Sequence, residues 1–75
     1  MSSTALEELL ARKGVRPTRQ RLRVLEELAA ERDDATAQAL WQRLRAADEL
    51  IGLATVYRTL ALLHDRGVVD ALSHH

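Results

Sequence analysis

The chain has 75 residues, carries 11 basic and 11 acidic side chains, and is 47% apolar. That length allows one small domain over residues 1–75, whose core supplies no more than roughly 3–5 kcal/mol. The absence of cysteine excludes a disulfide framework and a thiolate metal site.

Apolar runs of only a few residues exclude a transmembrane helix, and glutamates interrupt the N-terminal apolar stretch, which excludes a signal peptide. A soluble cytoplasmic protein is the expectation.

Thr4-Ala5-Leu6-Glu7 has the form of a capping box, so a first helix is expected from about Ala5 to Lys13. Leu6, Leu9 and Leu10 form its apolar stripe. Arg12 and Lys13 suit the negative end of the helix dipole, and Gly14 is placed to stop the helix. Val15-Arg16-Pro17 then makes a short extended connector, because proline disfavours a helical residue before it.

Thr18 is positioned to cap a second helix, about Arg19 to Glu31, with Leu22, Leu25, Leu28 and Ala29 on the core face. Arg19, Arg23 and Glu26 are expected in water. From Arg12 to Arg23 there are six basic residues and no acid, whereas from Val24 to Leu50 acids outnumber bases. Net charge is zero, but local charge sets the field that a partner meets. Arginines at the positive end of the second helix do nothing for its own dipole, which points to an anionic partner.

Arg32-Asp33-Asp34-Ala35 forms a polar loop, and Thr36 caps a third helix to about Ala47 with Ala37, Leu40, Trp41 and Leu44 inward. Trp41 belongs to the core. Asp48-Glu49-Leu50-Ile51-Gly52 is a short turn into a fourth helix, about Leu53 to Arg66, which Gly67 terminates.

Two helices joined by a short glycine-containing turn make a helix-turn-helix. In the fourth helix Leu53, Val56, Leu60 and Leu63 face inward, Ala54, Thr55, Arg58 and Leu62 outward, and Tyr57 lies on the flank. Such a small, hydroxylated, aromatic and cationic N-terminal end suits a groove of DNA, with an ordinary surface helix as the alternative. Val68-Val69-Asp70-Ala71-Leu72 is β-branched enough for a strand, paired with Leu50 and Ile51 or with a later strand.

No catalytic constellation is present, so the chain is not expected to be an enzyme. Serine is confined to Ser2, Ser3 and Ser73, and no glycine-rich phosphate loop occurs. His74 and His75 lack the converging ligands a folded metal site needs. His64 is a partly exposed residue of the fourth helix, and no metal site is expected in this chain.

The motifs Gly14-Val15-Arg16-Pro17-Thr18-Arg19-Gln20-Arg21, Leu40-Trp41-Gln42-Arg43-Leu44, Ile51 to Leu60, and Gly67-Val68-Val69 stand in an order that resembles the N-terminal DNA-binding domain of the ferric uptake regulator (Fur) family. Ala54-Thr55-Val56-Tyr57-Arg58 is the most specific part. The resemblance implies a mostly α winged helix-turn-helix, with about four helices and a short or incomplete β wing. Its fourth helix would enter the major groove.

On that resemblance Tyr57 would meet thymine methyls, Ala54 and Thr55 would approach base edges, and Arg58 would pair with phosphate or a base edge. Arg16 would lie in or beside an A·T-rich minor groove, where negative potential is concentrated. Thr18 belongs to the same Arg-x-Thr-x-x-Arg segment. Arg19 would sit near backbone phosphates, and Arg21 either does the same or serves as an internal ion-pair partner.

The resemblance further implies double-stranded DNA as partner, with an A·T-rich palindromic operator. Full-length relatives are homodimers that use a divalent metal such as iron, zinc or manganese. Their dimerisation and metal-binding domain follows the present segment, so this chain is expected to be monomeric or weakly associating and to hold no cofactor of its own. Asp33-Asp34 stands where many relatives have histidines. Two rival readings are a winged-helix protein-interaction module without DNA readout, and a metal sensor acting through His64, His74 and His75.

Overall fold

The computed structural model describes residues 3–30 and 36–73. They form five helices: α1 Ser3–Arg12, α2 Arg19–Ala30, α3 Ala37–Ala46, α4 Leu53–Asp65 and α5 Val68–Ser73. The expected Arg32–Ala35 loop, and His74 and His75, lie outside the described residues.

Leucines dominate the core. Leu6, Leu10, Leu25, Leu40, Leu44 and Leu63 are fully buried together with Val24, Val56 and Val68, each contributing about 1.5–3 kcal/mol before conformational entropy is counted. Helix α2 packs against α1, α3 and α4, while α3 packs against α4 and α4 against α5. The radius of gyration is 11.3 Å, in line with the roughly 11 Å of a fully compacted chain this long.

Three of the helix ends turn on a residue in the left-handed region. Gly14 has φ +74° and Gly67 φ +75°, the conformation in which glycine carries no Cβ penalty. At the end of α1, Val15 donates to the Leu10 carbonyl at 2.8 Å and Gly14 to that of Ala11 at 3.1 Å, a Schellman closure that buries Val15 beside the helix it ends. Helix α3 closes in the same way, with Glu49 donating to the Leu44 carbonyl at 2.9 Å and Asp48 to that of Arg45 at 3.0 Å. Here Asp48 occupies the left-handed position at φ 59°. Asp is among the few non-glycine residues that tolerate it.

Threonine caps act at two N-termini. The Thr18 hydroxyl accepts from the Arg21 amide at 3.2 Å, and the Thr36 hydroxyl from that of Ala39 at 3.0 Å. Both satisfy a donor that the first helical turn otherwise leaves without a partner.

Four expectations need correction. Helix α1 starts at Ser3, so Thr4 is already helical and cannot be the cap of the expected box. In α2 the buried residues are Val24 and Leu25, with Leu22 and Leu28 half-buried and Ala29 exposed. A helix enclosed on several sides buries a wider arc than one apolar stripe. In α4 the buried set is Val56, Thr59 and Leu63, while Leu53 and Leu60 are half-buried.

The fourth correction is the largest. Residues 68–73 form α5, not a strand, and no strand occurs among the described residues. The β-branched pair gave a weak preference that depends on a partner, and the proposed partner is elsewhere: Leu50 is 97% exposed and Ile51 is buried in the core. Val68 instead packs into the core on a helical turn that opens with Ala71 donating to the Gly67 carbonyl at 3.2 Å.

Candidate nucleic-acid interface

The start of α2 and the outer side of α4 enclose an open concavity of about 550 Å³, lined by Thr18, Arg19, Gln20, Arg21, Thr55, Arg58, Thr59 and Leu62. Five of the eight residues expected to touch DNA therefore meet here, from segments more than thirty positions apart. Ala54 and Tyr57 are exposed on α4, Tyr57 by 58%, and Arg16 is exposed on the connector before α2. None of these three lines the concavity.

The α2 wall is held by internal partners. Arg21 donates through Nη1 to the Arg16 carbonyl at 3.0 Å, so it braces the connector. No ion pair of Arg21 occurs among the described residues, and its expected alternative role is met by a carbonyl instead of a carboxylate. Arg19 donates through Nη2 to both Glu49 oxygens, at 3.0 and 2.9 Å.

Arg23 is no solvent-facing side chain. It reaches Glu26 at 2.8 Å, Glu27 at 3.6 Å and Glu49 at 3.1 Å. The hydrogen bond with Glu26 is the main cause that raises its pKa above the ordinary arginine value, with Glu49 adding to it against partial burial. Arg43 extends the network to Glu27 at 3.4 Å.

This network corrects the expectation that local stability offers no reason for arginines at the opening of α2. Glu49, placed by the end of α3, supplies one. The acid could be found in the sequence only as part of a turn, because its partners stand 26 and 30 positions away.

The α4 wall is looser. Arg58 donates through Nη2 to the Thr55 hydroxyl at 3.3 Å, and makes no ion pair among the described residues. Thr59 is only 6% exposed yet lines the concavity. Gln20, Thr59 and Leu62 were not expected at the site. Gln20 lies within the basic segment and Thr59 one turn after Thr55, so the spacing offered a signal for both. Leu62, expected to face outward, is half-buried against the core at the edge of the concavity.

The family model for the ferric uptake regulator family matches residues 12–75. The chain belongs to that family. It is 48% identical over 59 residues to a zinc uptake regulation protein of Mycobacterium tuberculosis, covering 79% of this chain and 45% of the relative. It is 41% identical over 63 residues to a ferric uptake regulation protein of Brucella abortus, covering 84% and 45%. A ferric uptake regulation protein of Shigella flexneri is 43% identical over 61 residues, covering 80% and 41%.

The chain thus spans under half the length of the curated relatives it matches. No solved structure matches it significantly. The span matched to the Fur family contains every residue of the concavity, whereas most of α1 precedes it.

Fur-family members use metals such as iron or zinc. No three His, Cys, Asp or Glu side chains converge to hold a metal ion among the described residues. His64 is exposed on α4, and the described residues do not fit a metal centre. Among them no helix is long and apolar enough to cross a membrane.

Proposed function

We propose that this chain is the sequence-reading DNA-binding module of a metal-responsive transcriptional regulator, a repressor that acts in the cytoplasm as a homodimer in its longer form. The observation that carries this reading is the convergence of Thr18, Arg19, Arg21, Thr55 and Arg58 on one concavity beside an exposed Tyr57. Two helices joined by a short turn, α3 and α4, then act as a helix-turn-helix, with α4 as the helix that enters the major groove.

Each residue has a role in that arrangement. Tyr57 and Ala54 offer apolar contact to thymine methyls, and Arg58, with Thr55, offers donors to a base edge or phosphate. Arg19, at the opening of α2, meets backbone phosphate. Arg21 holds the connector so that Arg16 can lie along an A·T-rich minor groove. Phosphate contacts set register and base contacts set preference.

A palindromic operator follows from pairing two such modules and its A·T-richness from the Arg16 contact, and the separate module lacks the avidity of the pair. It therefore binds duplex DNA with a Kd on the order of 10⁻⁴–10⁻⁶ M at physiological salt.

Titration of a fluorescein-labelled duplex at rising salt tests the reading. Binding weakens steeply with salt, and an affinity that ignored salt would remove it. Tyr57→Ala lowers the preference for an A·T-rich over a random duplex while leaving the random-duplex affinity nearly intact. A protein-interaction module is the second reading, favoured by zero net charge and by the engagement of Arg19 with Glu49. It requires no binding to random duplex even at low salt.

A further inference from the structure

We propose, on the reading of the chain as a DNA-binding module, that Glu49 is a built-in competitor for nucleic-acid phosphate. It occupies Arg19 in the free protein and yields it to a phosphate on binding, while Arg23 retains the carboxylate. Glu49 is thereby an affinity-setting residue that lies outside the reading helix.

The position of Glu49 is fixed by backbone. The left-handed turn at Asp48 and the hydrogen bond that the Glu49 amide donates to the Leu44 carbonyl, 2.9 Å, tie this residue to the end of α3. Its carboxylate is only 18% exposed and accepts from two arginines. Oε1 takes Arg19 Nη2 at 3.0 Å and Arg23 Nε at 3.1 Å, and Oε2 takes Arg19 Nη2 at 2.9 Å.

The two arginines differ in how free they are to leave. The Arg23 side chain is 20% exposed and is also bound to Glu26 and Glu27. Three acids share that one cation, so turning to an external anion would break three contacts at once, against one for Arg19. The Arg19 side chain is 75% exposed and its ion pair is with Glu49.

An exposed pair of this kind is worth a factor of about 1.4 to 5 in an equilibrium, so a phosphate can displace it. Departure of Arg19 leaves no unpaired buried charge, because Arg23 still holds Glu49.

The destination is adjacent. Arg19 and Gln20 line both the concavity facing α4 and a second one of about 330 Å³ formed with Asp48, Glu49, Leu50 and Ile51. Arg19 therefore stands between the acid on one side and the proposed phosphate position on the other.

The test is a double-mutant cycle on the full chain with fluorescein-labelled random and A·T-rich duplexes. Glu49→Gln keeps the shape and removes the charge. It tightens binding to both duplexes by the same factor of about 1.4 to 5, the contribution of the pair that no longer has to be broken. In an Arg19→Ala background the same change has no effect.

Weaker binding by Glu49→Gln would make the acid a positioner of Arg19 and overturn the proposal. A gain that persists without Arg19 would reduce it to general repulsion and also overturn it. Failure of the unmodified chain to bind any duplex would instead remove the proposed function, and this inference with it.

An independent measurement needs no change at Glu49. In ¹⁵N-arginine-labelled unmodified chain, added duplex moves the Arg19 guanidinium resonances further than the Arg23 Nε–H, which stays slowly exchanging because it keeps its Glu49 acceptor. An unmoved Arg19, or an Arg23 Nε–H that loses its protection, overturns the exchange even if Glu49→Gln proves unfolded by circular dichroism.

Discussion

On the α2 side of the concavity, Arg19 and Arg21 are each held by an internal acceptor, Glu49 and the Arg16 carbonyl. On the α4 side, Tyr57 stands 58% exposed and Arg58 reaches only as far as the hydroxyl of Thr55, one helical turn back. One wall starts from internal partners; the other makes no ion pair among the described residues. On the proposed reading Arg21 keeps its carbonyl and Arg19 exchanges Glu49 for a phosphate, so this wall offers charge to a repeating backbone. Freer side chains can adjust to base edges, whose pattern changes from step to step.

The largest expected effect falls on the looser wall. Arg58→Ala costs about 1–3 kcal/mol on the preferred duplex and less on a random one, as read by fluorescence anisotropy. Equal losses on both would move Arg58 into the phosphate-binding class and erase the distinction between the walls.

Next come the two caps. Thr18→Ala and Thr36→Ala each destabilise the fold by about 1 kcal/mol in urea unfolding, since each removes an N-cap. Only Thr18→Ala should also weaken DNA binding, because Thr18 lines the concavity and Thr36 does not. Parallel losses of binding would mean that stability alone governs the site.

Arg19→Ala follows, weakening all duplexes alike and lowering the slope of log affinity against log salt by roughly 0.9. The affinity change is smaller than for Arg58→Ala, because binding releases Arg19 from Glu49. The smallest effect is at the start of α4, where Gly52 provides no side-chain cap and an added Cβ meets nothing within 4 Å. Gly52→Ser stabilises the chain by only a few tenths of a kcal/mol in thermal or urea melts.

The helices were legible wherever the signal was local. Gly14 and Gly67 stop their helices, and Thr18 and Thr36 start theirs, because a cap or a left-handed turn involves residues within five positions. Leu40, Leu44, Val56 and Leu63 were legible for the same reason, through helical spacing. The Glu49 network was not, since ion pairing across 26 or 30 positions leaves no periodic trace.

Residues 68–72 were misread because β-branching was weighed without a partner strand, whereas Val68 gains burial as readily on a helix. Five of the residues expected at the DNA site came together at the concavity, but their roles there rest on the resemblance and on the experiments above.

Trp41 is the sole tryptophan of the chain, half-buried against the core, with the Arg45 guanidinium carbon 4.9 Å from its ring centroid. It lines neither concavity. Its ultraviolet emission accordingly follows the packing of α3 against the core more than the arrival of a nucleic acid at a concavity it does not line. The molecule carries its own optical reporter of integrity, so unfolding and binding can be followed separately in a single cuvette.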